Sequence, residues 1–321
     1  MKHWIEAARL RTLPLSVSGI IVGSFYALAN GTKEVITPTQ VFSWTIFGLL
    51  LLTTVLLQVL SNFANDYGDG VKGTDNEDRV GPARAIQSGV ISPKQMKLAI
   101  LVTAIVTFIS SILLIYNAFH LKYFYYSVAF LALGIIAIAS AIRYTVGKSA
   151  YGYKGYGDVF VFVFFGIVST FGSYFMFAKE FNLLLLLPST AIGLLSVGVL
   201  NLNNMRDEIS DKKAGKNTIV VKIGGENAKK YHYFLIVTAM VLMLLFAVIN
   251  DFYSDATFNF DQYFFLIIYI PLTKHLIRVY KNQNPKDLDP ELKKLAISTF
   301  LLSVLLAQGL IYFFSDLIVN L

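Results

Sequence analysis

The chain contains no cysteine, which excludes disulfide bridges, thiolate metal ligands and cysteine nucleophiles. Only four of its 321 residues are histidine; His3, His120, His232 and His275 are too scattered to form a ligand spacing, and no role is assigned to them. Charge is also scarce. Asp, Glu, Lys and Arg make up 15% of the chain, where a soluble domain carries about a quarter. With 55% hydrophobic residues and a mean hydropathy of +0.61, the composition excludes an ordinary soluble globule. The formal charge of +7 raises the question of a nucleic-acid partner, but the placement of the cations argues against one.

What the chain has in abundance is long apolar runs of about 18–25 residues, enough to cross a hydrocarbon core as helices. About nine such spans are expected, near 13–30, 41–64, 97–116, 121–142, 157–178, 183–203, 231–250, 260–280 and 295–315. The fold class is therefore an all-α integral membrane protein, a single transmembrane domain over residues 1–321. All but Lys33, Lys122 and Lys179 of the 27 basic residues fall at the N-terminus or within 65–97, 143–154, 206–230 and 274–294. Cations are retained in the cytoplasm during insertion, so these segments and the N-terminus are expected inside the cell and the C-terminus outside. The bilayer is then the partner that explains the charge, and no nucleic acid is needed. Lys2, Arg9 and Arg11 followed by an apolar stretch and Ala27-Leu28-Ala29 imitate a secretory leader. Glu6 in the charged region and Pro14 at the first turn of the run favour a retained helix instead.

The long polar connections gather on that same inner face, where functional loops belong. In the segment beginning at Ser61, Asn62, Asn65, Asp66 and Asp69 are spaced i, i+3, i+4, i+7, which puts them on one helical face at the end of the second span. Asp75 follows in a glycine-broken loop. In the segment beginning at Leu200, Asn203, Asp207 and Asp211 recur at i, i+4, i+8, with Asn204 three residues before Asp207. Either cluster alone reads as ordinary capping and turn chemistry. Two acidic stripes at one membrane face, where an unpaired carboxylate is costly, read as a site. Ligand sets made of oxygen alone suit a hard cation such as Mg²⁺, which takes few protein ligands and completes its shell with phosphate and water. A third segment from Arg143 brings Arg143, Tyr144 and Lys148, candidates to meet a diphosphate; its plainer reading is an aromatic turn anchored at the interface.

Assembled, these residues resemble the UbiA-type superfamily of intramembrane prenyltransferases. The family's NDxxDxxxD motif is met by Asn65, Asp66 and Asp69, with Gly73 where the third acid stands and Asp75 as its substitute. DxxxD is met by Asp207 and Asp211, and YxxxK by Tyr144 and Lys148. The strings RTLP, NDYGDGVKGTD, DRVGPARAIQSG and AGKNT look like the menaquinone branch. The resemblance implies Mg²⁺ held by Asn65, Asp66, Asp69, Asp207 and Asp211, and a polyprenyl diphosphate contacted by Asn62, Asn204, Lys148, Arg143 and Tyr144. It implies 1,4-dihydroxy-2-naphthoate as acceptor, with Arg79, Arg84 or Lys216 as partners of its carboxylate. The competing readings are another aromatic acceptor, a CDP-alcohol phosphotransferase and a cation-coupled transporter. Asp66-Tyr67-Gly68-Asp69-Gly70 opens like the phosphotransferase motif but lacks its Ala-Arg. Acids at helix ends, not midway along broken spans, disfavour the transporter.

Overall fold

A computed structural model describes residues 2–30, 42–74, 84–253 and 260–311. Among these the regular elements are all helical. Short α1 (Lys2–Ala8) precedes α2 (Leu13–Asn30), α3 (Trp44–Lys72), α4 (Pro93–Phe119) and α5 (Phe124–Arg143). Then come α6 (Gly157–Ala178), α7 (Leu183–Arg206), short α8 (Glu208–Lys213) and α9 (Ile219–Ile223), and long α10 (Gly225–Tyr253). The last two are α11 (Tyr269–Lys281) and α12 (Pro285–Leu310).

Eight of these helices are long and apolar enough to cross a membrane: α2 to α7, α10 and α12. The expected span at 260–280 is helical but divided. Phe260–Ile268 is wound as a 3-10 helix before α11 continues in α geometry, and the second half carries Lys274, His275, Arg278 and Lys281. By helical rise the two parts together measure about 37 Å, still a membrane's thickness.

Local sequence explains where helices begin and end. Ser43 accepts from the Ile46 N–H, and Ser92 with Gln95 forms a reciprocal capping box in front of Pro93. At the other end of α3, Gly73 takes φ 71° and its N–H bonds the carbonyls of Asp69 and Gly70. A left-handed cap of this kind favours glycine, and Gly73 stands where the family pattern has its third acid.

α2 lies at the centre, against α6 and α12, while α3 pairs with α4 and α7 with α10. Its contact with α6 is made through small residues: a side chain on Gly19 or Gly23 would run into Ser169, Thr170 or Ser173, the kind of close approach by which helices associate in lipid. The outer helices show the opposite pattern. α5 buries none of its residues, and α4 exposes Leu98, Leu101, Ile105 and Ile109, as lipid-facing surfaces should. Two of the histidines read as scattered in fact meet. His232 on α10 lies 2.8 Å from His275 on α11, ring nitrogen to ring nitrogen, and His275 reaches Glu291 on α12, also at 2.8 Å. Arg278 and Lys294 bond the same carboxylate, so the network ties three helices together, leaving only the His232 Nδ1 of its ring nitrogens without a partner among the described residues.

Candidate active site

α3 runs past the apolar stretch to Lys72, so Asn62, Asn65, Asp66 and Asp69 lie on one continuous helix as the spacing predicts. Their neighbours then divide them. Asn62 faces α1: its side-chain N–H donates to the Ala8 carbonyl at 2.8 Å, and its oxygen accepts from Gln58. It anchors the N-terminal turn. Asn65 accepts from the Thr145 hydroxyl at 3.2 Å, and Thr145 also donates to the Ala64 carbonyl. Gly68 permits this approach, since a Cβ there would sit 2.6 Å from the Thr145 hydroxyl. Asp66 accepts from the Ala85 N–H through one oxygen. Asp69 accepts from the Tyr153 hydroxyl at 2.8 Å and pairs with Arg84 at 3.4 Å.

The second stripe is bent at its middle. α7 ends at Arg206, Asp207 takes a non-helical conformation, and α8 starts at Glu208. The Asp211 N–H still bonds the Asp207 carbonyl at 2.8 Å, which keeps both acids on one side. Asp207 is gripped by fully buried Arg206 through two bonds of 2.8 and 2.6 Å. Arg206 also donates to Asn203 and Asp289, so its charge is shared between two carboxylates while its two bonds to Asp207 orient that side chain.

A turn at Gly215 sends the chain back, the Lys216 N–H bonding the Asp211 carbonyl at 2.8 Å. The Lys216 ammonium, buried, reaches the Asp211 carboxylate at 3.4 Å. Burial by itself would depress its pKa; the carboxylates of Asp69 and Asp211 outweigh that and hold it above the usual lysine range. Lys216 thus joins the two acidic stripes. Burial pushes Asp211 up to about 6, with the Lys216 ammonium opposing. Tyr144 is driven up to about 12 by burial, again opposed by Lys216.

Tyr144 is the member of the third segment that reaches the site. Arg143 and Lys148 do not: both are exposed and neither lines either of the two cavities at the site. Arg143 ends α5 at the aqueous edge, where a cation suits the helix C-terminus, and Lys148 follows the left-handed turn at Gly147. Asp75 and Arg79 lie outside the described residues. Tyr153 and Arg206 were not anticipated from sequence, and Arg84 and Lys216, expected to meet an acceptor carboxylate, instead pair with Asp69 and Asp211. For Lys216 the signal was its place between Gly215 and Asn217 directly after an acidic stripe.

Two cavities meet here. The larger, about 320 Å³, is walled mainly by apolar side chains of α2 to α6, among them Leu50, Leu114, Phe130, Phe164 and Val168. Part of its wall is a turn of π-helix at Phe162–Val168, a widened winding that often marks functional sites. The smaller, about 160 Å³, is the more polar of the two and is lined by Asn65, Asp69, Arg84, Asn203 and Lys216 among others. Gln58, Asn65, Tyr144, Val161, Phe165 and Leu200 border both.

The donor set fits a hard cation. One oxygen each of Asp66, Asp211 and Asn204 is buried with no hydrogen-bond partner among the described residues. Orphaned anionic oxygens are costly unless something binds them. Among the described residues no three acidic or histidine side chains are grouped so that they alone could hold a metal ion.

Fold and site together define an intramembrane enzyme that works on an amphipathic, anionic substrate. Residues 25–305 match the UbiA prenyltransferase family, and the chain belongs to it. It is 41% identical to a 1,4-dihydroxy-2-naphthoate octaprenyltransferase of Haemophilus influenzae, over 97% of this chain and 96% of that one. It is 40% identical to the enzyme of that name in Escherichia coli, over 96% and 94%. Among solved structures, a UbiA homolog from Archaeoglobus fulgidus bound to GPP and Mg²⁺ superposes with a TM-score of 0.63 at 16% identity, covering 97% of this chain and 99% of that one. At that identity the likeness is one of fold.

Proposed function

We propose that this protein transfers a polyprenyl chain from polyprenyl diphosphate to 1,4-dihydroxy-2-naphthoate, releasing diphosphate and CO₂. The observation that carries the reading is the junction of the two cavities: a polar, cation-rich chamber shares Asn65 and Tyr144 with a long apolar one. A prenyl diphosphate has the same two-part character. Its isoprenyl carbons lie among Leu50, Leu114, Phe130 and Phe164, and its diphosphate lies beside Arg84 and Lys216.

Asn65, Asp66 and Asp69 on α3, with Asn204, Asp207 and Asp211 on the second stripe, would hold Mg²⁺. The ion would supply charge to neutralise the leaving oxygens. Arg206 orients Asp207, and Tyr153 orients Asp69. Lys216 would donate to the diphosphate and stabilise the charge that grows as the C–O bond breaks. That bond's electron pair leaves with diphosphate. The allylic carbon, flanked by Phe160 and Phe164 whose ring faces favour a cation, is attacked by the electron-rich ring. A C–C bond forms, and the electron pair of the lost carboxylate returns to the ring as CO₂ departs. The placement of basic residues supports a site facing the cytoplasm, in the cell's inner membrane, with the N-terminus inside and the C-terminus outside.

The test is purified protein in detergent with a prenyl diphosphate, Mg²⁺ and either dihydroxynaphthoate or 4-hydroxybenzoate. The expected result is CO₂ matched one-to-one with prenylated naphthoquinol, abolished by chelation and restored by Mg²⁺. Equal or faster use of 4-hydroxybenzoate would refute the acceptor, and activity that survives chelation would refute the metal.

A further inference from the structure

α11 is amphipathic in an uncommon way for a helix packed among membrane spans. Its buried stripe is Leu272, His275, Leu276 and Val279. The opposite stripe, Ile270, Lys274, Ile277 and Lys281, recurs at i, i+4, i+7 and i+11 and is exposed. Tyr280 marks the edge beside α10, where its ring meets that of Tyr233 and the Tyr233 hydroxyl donates to the Leu276 carbonyl at 2.7 Å. Arg278 marks the edge beside α12, donating to Glu291 at 3.1 Å. The Lys229 ammonium donates to the Asn282 carbonyl at 2.8 Å, which sets the end of α11 level with the first turns of α10, at the aqueous edge. Lys274 lies two turns, about 10 Å, deeper than Lys281.

A lysine facing lipid is costly unless its stem lies along apolar surface and its ammonium reaches the headgroups. Ile270 and Ile277, 59% and 48% exposed, provide that surface on either side of Lys274. The ammonium groups of Lys274 and Lys281 make no hydrogen bond or ion pair with any described residue. Glu291, the carboxylate that Arg278 meets, is buried and already bonds His275 and Lys294 as well. Lys274, Arg278 and Lys281 thus follow one another at i, i+4 and i+7, and like charges at that spacing repel. We propose that this face of α11 is a docking site for an anionic phospholipid, its phosphate between Lys274 and Lys281 and its acyl chains along Ile270 and Ile277. Charge selects the occupant. A zwitterionic lipid covers the isoleucines equally well but brings a cation of its own to the lysines, whereas a net-negative headgroup removes the repulsion along α11. Its binding therefore steadies the helix that His275 and Arg278 fasten to Glu291 on α12.

The experiment titrates the full-length protein in detergent with phosphatidylglycerol or phosphatidylcholine and counts bound lipid by native mass spectrometry. Wild type is compared with Lys274→Gln/Lys281→Gln and with Lys94→Gln/Lys97→Gln, which removes the same charge from the exposed first turns of α4. Loss of the two α11 cations should weaken phosphatidylglycerol about thirtyfold and leave phosphatidylcholine within about twofold. The α4 variant should shift neither lipid by more than about threefold. In vesicles, adding phosphatidylglycerol to phosphatidylcholine should raise the unfolding midpoint of wild type and of the α4 variant, and leave the α11 variant unmoved. In phosphatidylcholine alone the α11 variant should be at least as stable as wild type, having lost the repulsion; a lower midpoint there would refute that repulsion and the site with it. Equal losses in the two double variants would overturn the proposal, leaving only a general attraction to an anionic surface. Wild type with no preference for phosphatidylglycerol would overturn it too. Glycerophosphoglycerol, the same headgroup without acyl chains, should displace little of the bound lipid, and ready displacement would give the lysines to free phosphates instead.

Discussion

Replacing Lys216 with Met tests whether the two acidic stripes form one metal-binding unit. Lys216 is buried, reaches Asp211 at 3.4 Å, and has Asp69 as its strongest favourable partner. Removing one partner of a buried ion pair leaves an uncompensated charge and costs about 3–5 kcal/mol. Here two carboxylates would be left facing each other, so the metal-free variant should fall toward the upper end of that range. The same substitution removes the ammonium with which a divalent cation must compete. Mg²⁺ should therefore bind the variant more tightly than wild type, and at one hundred times its dissociation constant would restore about 2.7 kcal/mol. The assay is thermal unfolding in detergent across a Mg²⁺ series, with Ca²⁺ as a control for size. The expected result is a lower midpoint without metal, a larger rise per added Mg²⁺ than in wild type, and turnover reduced at least about a hundredfold at every metal concentration, because the diphosphate has lost a donor. An equal or smaller Mg²⁺ response would refute the view that Lys216 and the metal share these carboxylates.

Tyr153→Phe removes the hydroxyl that donates to Asp69 at 2.8 Å. With a charged acceptor the loss is about 1.5–3 kcal/mol, and the Mg²⁺ concentration giving half-maximal activity should rise about tenfold; no change would make Tyr153 a packing residue. Gly68→Ala drives a Cβ to 2.6 Å from the Thr145 hydroxyl, so α3 and the Tyr144–Thr145 turn must separate at about 1–3 kcal/mol, read as a lowered unfolding midpoint with lowered kcat. Lys148→Ala and Arg143→Ala should each keep activity within about twofold, since both side chains are exposed and exposed charges contribute little; a hundredfold loss in either would restore the role implied by the family pattern.

Those expectations differ because sequence spacing conveys some kinds of information and not others. Helical period fixed which residues share a face, and Asn62, Asn65, Asp66 and Asp69 do share one on α3. It could not say what lies across from that face, and Asn62 turned out to meet the Ala8 carbonyl. Long apolar runs located the spans, yet the end of α3 extended through the first motif to Lys72, because polar residues continue a helix when they face a chamber. The YxxxK spacing brought Tyr144 to the site and left Lys148 outside, since the chain leaves α5 at that point and helical period no longer applies. Contacts between distant segments were invisible: Asp69 and Tyr153 are 84 residues apart, and His232 and His275 are 43 apart. Lys216 reaches the acids only because the turn at Gly215 reverses the chain.

The position of the chamber follows from a problem of solvents. One substrate is a lipid with a highly charged head, and the other is a water-soluble aromatic anion. A site buried at mid-membrane would have to desolvate every phosphate charge, at several kcal/mol each even after relaxation. A site fully in water would expose the prenyl chain and the developing cation, which water captures. Placing the acids at the ends of α3 and α7 answers both demands, because the carboxylates, Lys216 and Arg206 neutralise one another there while the large cavity continues among apolar helices. The same logic explains the orphaned oxygens of Asp66, Asp211 and Asn204. Pairing every oxygen internally would give a more stable protein, but one without anything left to offer a metal. The unpaired oxygens of Asp66, Asp211 and Asn204 are what these helix ends keep available for a cation.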